Sequence, residues 1–204
     1  MTTRVEVYYC LISPWTYMVW ARLGGLARQS GAEIAYHPLD TNQVFPRTGG
    51  LPLAKRAPER QRYRMMELKR WRRRLAIPLT LEPRFFPTDV VPATKMALAI
   101  RERGGDVWAF SDAVLRAVWV QDRDIADVAT LKAISLSLGL DAEALLTEAQ
   151  DLEDQLAAEA EQAIAKGIFG APSFIVGEEI FWGQDRFDFL AEAVTGQEKP
   201  TKID

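Results

Sequence analysis

The chain carries one cysteine, Cys10, and one histidine, His37. A disulfide within the chain is excluded, and a zinc site built from Cys and His alone would have two ligands where three or four are needed. Any dithiol chemistry has to be brought in from outside. A membrane span is also missing: the longest uncharged run, Val7 to Ala21, is shorter than the ~20 residues a bilayer requires and contains Pro14. Arg4 ahead of that run imitates a signal peptide, but Glu6 sits in the would-be basic region and no small-residue cleavage pattern follows. Strand, turn and helix explain the run better, and the expected location is the cytoplasm. A net charge of −3 predicts no general affinity for nucleic acid or for an anionic membrane.

What is present suits one globular unit. Of 204 residues, 48% are hydrophobic and 26% charged; at this length roughly 70% of the unfolded surface becomes buried on folding. Charge is segregated. Between Lys55 and Arg74 ten basic residues face only Glu59 and Glu67, whereas Asp141 to Glu161 holds eight acids and no base. Two such blocks are expected to pack near each other or to form opposite faces of a homodimer. A nucleic-acid stripe is the rival reading of the basic block, but Met65, Leu68, Trp71 and Leu75 give that helix a core face, so its charges serve as a solvated one.

Arg4 to Tyr9 alternates and is rich in Val and Tyr, as a strand does. Ser13-Pro14 then reads as a helix start, with Ser as N-cap and Pro at the first helical position. The helix is expected to reach about Gln29, and Ile34 to Leu39 to form a second, parallel strand. Asn42 to Pro58, with three prolines and Gly49-Gly50, reads as a loop. Helical periodicity dominates from about Pro58 to Lys166, broken at Ile77 to Pro92 and at Gly104-Gly105, with one long helix starting at Asp141. Ser173 to Val176 and Ile180 to Trp182 read as a hairpin, followed by a helix opened by Gln184-Asp185. The expected class is α/β, a thioredoxin-like fold with a large all-helical insertion: residues 1–40 and 167–204 form a discontinuous thioredoxin-like domain around an inserted helical domain, 41–166.

Two segments carry a family likeness. Tyr9-Cys10-Leu11-Ile12-Ser13-Pro14-Trp15-Thr16-Tyr17 resembles the first-helix motif of the 2-hydroxychromene-2-carboxylate isomerases and kappa-class glutathione transferases, which look like disulfide oxidoreductases whose first redox cysteine has become serine. Gly170-Ala171-Pro172-Ser173-Phe174 and Phe181-Trp182-Gly183-Gln184-Asp185-Arg186 resemble the family's cis-proline loop and glutathione-binding turn. Tyr63 to Trp71 and Phe85 to Pro92 loosely match its helical insertion. Ser13 on its own is readable as a plain N-cap. It is a poor acyl-transfer nucleophile, because the sole imidazole, His37, lies at the far end of the second strand.

The resemblance implies glutathione as cofactor and Ser13 as the catalytic residue, its hydroxyl donating to the thiolate at a helix N-terminus. A hydrogen bond to a charged group is worth ~1.5–3 kcal/mol, enough to bring a thiol pKa of roughly 8.5 down to about neutrality. Ser13, Pro14, Trp15, Ala171, Pro172, Gln184 and Asp185 are the implied glutathione-binding set. Ala171, before a cis Pro172, would pair with the cysteinyl backbone, and Gln184 and Asp185 would hold the γ-glutamyl end; alternatively Pro172 merely shapes a turn and Asp185 is an N-cap. Where the family has an asparagine in the loop after the second strand, this chain reads Arg47-Thr48-Gly49-Gly50, which leaves that contact absent or supplied by Asn42.

The implied activity is glutathione-dependent isomerisation of 2-hydroxychromene-2-carboxylate or a similar aromatic pyruvate, by reversible thiolate addition. Trp15, Phe45, Phe85, Phe86 and Trp182 are candidates to line an aromatic slot, and Arg47, Lys55 or Arg84 to hold the carboxylate. A kappa-like transferase or peroxidase would use the same thiolate, and a non-catalytic thioredoxin-fold binding module is the reading outside enzymology. Cys10 is expected to face the core, and a homodimer is expected, as in the resembling families.

Overall fold

A computed structural model describes residues 2–197 of the chain; the last residues of the expected terminal domain, 198–204, lie outside them. β1 (Arg4–Tyr9) leads through a tight turn into α1 (Pro14–Ser30) and β2 (Glu33–Pro38), and β1 and β2 pair in parallel with Val7 opposite Tyr36. The chain returns to the sheet at β3 (Ser173–Val176) and β4 (Glu179–Trp182), both antiparallel to their neighbours, giving the order β2-β1-β3-β4. Tyr8 stands opposite Ser173, and Ser173 opposite Trp182. The sheet is thus made from the two ends of the chain, and its middle strands carry the core.

Alternation sorts β1 between two cores. Val5, Val7 and Tyr9 join the main cluster with Trp20, Leu23, Phe110 and Trp119, while Tyr8 and Ile175 join a smaller one with Leu39, Val44, Ala160 and Ile168 on the opposite face. β1 is held to α5 (Val107–Trp119) by the Tyr9 and Ser111 hydroxyls, 2.8 Å apart, and α1 by Trp20 Nε1, which donates to the Trp108 carbonyl at 3.1 Å.

The loop expected from Asn42 to Pro58 is instead α2 (Thr41–Thr48), a 3-10 turn at Leu53–Lys55, and the start of α3 (Pro58–Leu75). Pro46 lies inside α2 and removes one helical bond. Compensation comes from Asp40, whose carboxylate accepts from the Asn42 N–H at 2.9 Å, and from Val44, which is fully buried in the smaller core. α4 (Val91–Glu102), α5 and α6 (Val128–Ser137) follow, with Asp106 and Asp127 as N-caps of the latter two. The long helix expected from Asp141 is two: α7 (Ala142–Gln150) and α8 (Glu153–Ala165). The break at Asp151-Leu152 lets Leu145 enter the main core while Ala160 enters the smaller one, and Glu153 and Asp154 favour a fresh N-terminus by opposing its dipole.

The two charge blocks find separate solutions. The acids of α7 and α8 take their cations from elsewhere: Glu153 from Lys95, Glu159 from Arg101, Glu148 from Arg103, Glu143 from Lys132 and Glu161 from Arg47. α3 packs beside α1, and its described ion pairs, Arg62 with Glu59 and Arg70 with Glu67, stay within the helix. The cationic side of α3 therefore remains largely uncompensated.

Candidate active site at the end of the sheet

Ser13 takes extended geometry (φ −78°, ψ 123°), and its Oγ accepts from the Thr16 N–H at 3.2 Å. Pro14 supplies the first helical position, and no acid occupies the first turn of α1, so the positive potential of the helix start is unopposed by its own residues. The turn before it closes with the Ser13 N–H donating to the Cys10 carbonyl at 3.0 Å. Ser13 and Trp15 are half-buried, and Pro14 is buried.

The Ala171–Pro172 bond is cis, as the resemblance implied. Extending the Tyr8-to-Ser173 register by one residue brings Pro172 alongside Tyr9, just ahead of the turn that delivers Ser13. The loop is fixed from both sides: Ser173 Oγ donates to the Gly170 carbonyl at 2.7 Å, and the Gly183 N–H donates to the Pro172 carbonyl at 2.8 Å. Neither the N–H nor the carbonyl of Ala171 has a hydrogen-bond partner among the described residues. Trp182 lies against the loop, and a Cβ on Gly170 would come 2.6 Å from its indole nitrogen.

The third segment is a 3-10 turn, Gln184–Arg186, ahead of α9 (Phe187–Thr195). Asp185 is not an N-cap, since it makes no capping hydrogen bond; its carboxylate is about half exposed and lies 3.5 Å from Arg186. Gln184 is 2% exposed, yet its side-chain oxygen Oε1 has no partner among the described residues. A buried amide oxygen left so costs about 1–3 kcal/mol, so Gln184 Oε1 is a candidate acceptor for a donor from outside the chain. Thus Ser13, Pro14, Trp15, Ala171, Pro172, Gln184 and Asp185 all fall on three segments gathered at the same end of the sheet.

Other sequence candidates fall elsewhere. Arg47 is paired with Glu161, and Arg84 stacks on Phe85 at 4.5 Å and lies 3.8 Å from Asp122. Lys55 is exposed, and Phe45 packs against Gly50. Asn42 belongs to the start of α2. His37 stacks on Tyr8 at 4.6 Å and meets Glu159 at 2.9 Å, a structural role. Cys10 is buried, and burial pushes its thiol pKa up, so it is no source of thiolate.

Two contributors are not visible in the sequence. Arg22, on the third turn of α1, meets Asp188 of α9 at 2.9 Å, lies 4.1 Å above the Phe187 ring and reaches the Gln184 carbonyl at 3.5 Å. Phe169 meets Trp182 edge-on, ring centroids 4.8 Å apart, and widens the aromatic surface beside the cis-proline loop. Only a lone exposed aromatic next to Gly170 hinted at the second. Among the described residues no helix is long and apolar enough to cross a membrane, and no cluster of metal-binding side chains is formed.

Comparison with known proteins identifies the family and the fold. Residues 4–195 match the DSBA-like thioredoxin domain family. The 2-hydroxychromene-2-carboxylate isomerase of Sphingobium xenophagum is 31% identical over 93% of this chain and 97% of its own, and that of Pseudomonas putida 28% identical over 95% and 94%. A solved 2-hydroxychromene-2-carboxylate isomerase superposes with a TM-score of 0.82 at 25% identity, covering 93% of each chain. The cytosolic disulfide reductase of Pseudomonas aeruginosa, at 19% identity and a TM-score of 0.67 over 93% of each chain, shares the fold. A thioredoxin-type scaffold with serine at the head of its first helix is therefore what this sequence builds, and the chain belongs to the DSBA-like thioredoxin family as an enzyme of the 2-hydroxychromene-2-carboxylate isomerase kind.

Proposed function

We propose that the protein is a glutathione-dependent isomerase acting on 2-hydroxychromene-2-carboxylate or a closely similar aromatic pyruvate. The observation that carries this reading is the meeting, at one end of the sheet, of an acid-free helix start capped by Ser13 with the unpaired backbone of Ala171. The residues fit a γ-glutamyl tripeptide. Ala171 offers one N–H and one carbonyl to an extended backbone, and Gln184 Oε1 offers a buried acceptor to an amine or amide N–H. Asp185 is placed to pair with a ligand ammonium.

When bound, glutathione would supply a thiolate nucleophile for reversible addition to the conjugated double bond, held by Ser13, Ala171, Gln184 and Asp185. The protein's part is electrostatic. Ser13 is free to donate its hydroxyl proton to an anion while its oxygen still accepts from Thr16, so capping and thiolate stabilisation do not compete. The free N–H groups and dipole of α1 add to the same potential. Trp15, Trp182 and Phe169 present apolar surface to an aromatic ring.

The test is isomerisation of 2-hydroxychromene-2-carboxylate by the purified protein with and without glutathione. Turnover that depends on glutathione supports the reading. Equal turnover without it, or turnover of a chlorodinitrobenzene-type electrophile in place of the chromene, overturns it. We propose also that the protein works in the cytoplasm as a homodimer, for which the uncompensated face of α3 is one candidate surface; sedimentation showing monomer alone at micromolar concentration would count against the dimer.

A further inference from the structure

Arg47 and Arg84 already have carboxylate partners, but α3 holds a cation that has none. Arg64 lies one helical turn before the fully buried Leu68 and is itself half-buried. Its guanidinium sits 5.3 Å from the centre of the Phe86 ring, and among the described residues it has no carboxylate within ion-pairing distance. Burial draws its pKa down to about 10, and the neighbouring charge it feels is Arg56, of the same sign. An unpaired, partly desolvated guanidinium beside an aromatic ring is a costly arrangement for folding alone, and a well-formed one for receiving a carboxylate.

Packing puts this pair at the Ser13 end of the molecule. α5 runs down α1 in the opposite sense: Trp108 meets Trp20, Ser111 meets Tyr9, and the charges of Asp112 and Arg116 act on Tyr17. Trp119 comes about 16 Å farther along the axis than Trp108, level with the beginning of α1. Phe86 packs at a tilt against Trp119, ring centroids 5.1 Å apart, and Arg64 lies beside Phe86. Independently, Asp89, three residues past Phe86, acts on Asp40, which follows the C-terminal end of β2 and therefore lies at the same end of the sheet.

We propose that Arg64 binds the carboxylate of the aromatic substrate, with Phe86 packed against the guanidinium. This rests on the isomerase reading above. It replaces the sequence candidates Arg47 and Arg84 by a residue that needs a partner. Glutathione also carries carboxylates, so the experiment separates the two sources.

The variants are Arg64→Met, which keeps an apolar stem over Phe86, and Arg64→Lys. Binding of coumarin-3-carboxylate and of uncharged coumarin is followed by tryptophan fluorescence in the presence of glutathione, alongside KM for the chromene and for glutathione. In Arg64→Met, coumarin-3-carboxylate affinity is expected to fall about ten- to hundredfold and the chromene KM to rise comparably, with coumarin affinity and the glutathione KM unchanged. Arg64→Lys is expected to recover part of the loss. Equal weakening of both coumarins, an unchanged carboxylate affinity, or a wild type that binds neither probe overturns the proposal, and so does an effect confined to the glutathione KM, which assigns Arg64 to the cofactor. A wild type that discriminates the two probes through Arg64 yet isomerises nothing refutes the isomerase reading while leaving this one standing.

Discussion

The N–H of Gly183 donates to the carbonyl of Pro172 at 2.8 Å. That bond continues the β3–β4 ladder one residue beyond its last strand pair, Ser173 with Trp182, and so hangs the Gln184–Asp185 turn directly on the cis-proline loop. Two segments proposed to hold neighbouring parts of one ligand, its cysteinyl backbone and its γ-glutamyl end, are thereby positioned as a unit.

Gly183 is the residue on which this depends. Its φ of +99° is one L side chains rarely adopt, and a Cβ there would come 2.6 Å from Asp185 Oδ1. Gly183→Ala is expected to cost about 1–3 kcal/mol through backbone strain and to displace the Asp185 carboxylate. Chemical denaturation measures the first effect and the glutathione KM the second; a variant as stable as the parent with unchanged KM contradicts both.

Ser13→Ala removes the N-cap and the donor together. Loss of the cap is expected to lower stability by about 1 kcal/mol. Under the proposed function the apparent pKa of bound glutathione should rise by about one to two units, followed by thiolate absorbance against pH. An unmoved titration refutes the role assigned to the Ser13 hydroxyl.

Arg22→Met keeps apolar contact with Phe187 but gives up the Asp188 pair and the reach to the Gln184 carbonyl. Since Asp188 is well exposed, the cost in stability should stay below about 1 kcal/mol. The glutathione KM is expected to rise several-fold with little change in kcat, because the turn loosens while Ser13 stays in place. A fall in kcat with constant KM is the opposing result.

Acid sensitivity should centre on the Glu6–His37–Glu159–Arg101 group. For Glu159, burial raises the pKa, but hydrogen bonds from His37 and Arg101 outweigh it and hold the carboxyl below its ordinary value; Glu6 is likewise held down against burial, by Lys166 and Tyr8. Groups with depressed native pKa values add stability above their unfolded value of about 4.5, and this is lost as pH falls through the native values. Asp40, raised by burial, acts in the opposite sense, so the comparison must be with a variant. Glu159→Gln is expected to lose about 3 kcal/mol near neutral pH and to show a shallower decline of melting temperature below about pH 4.5. Parallel curves for variant and parent would exclude Glu159 as a source of the acid dependence.

The sequence by itself determined those features whose causes lie within a few residues. Ser13-Pro14 starts α1 because a cap and a pre-set φ act locally, Gly31 ends it in the left-handed region, and alternation in Arg4–Tyr9 decides which side chains enter which core. The motifs at both ends were singled out by family resemblance, which implied the cis Ala171–Pro172 bond that the structure has. Local signals misled where distant contacts outweighed them: Pro46 suggested a loop, but burial of Val44 against the far face of the sheet holds α2 together, and an unbroken helical period hid the corner at Asp151-Leu152 that sends Leu145 and Ala160 into different cores. Tertiary structure alone decided the pairings of charge. Which acids find which cations depends on side chains brought together from remote parts of the chain, so Arg47 and Arg84 were satisfied by Glu161 and Asp122 while Arg64 was left over Phe86 with none.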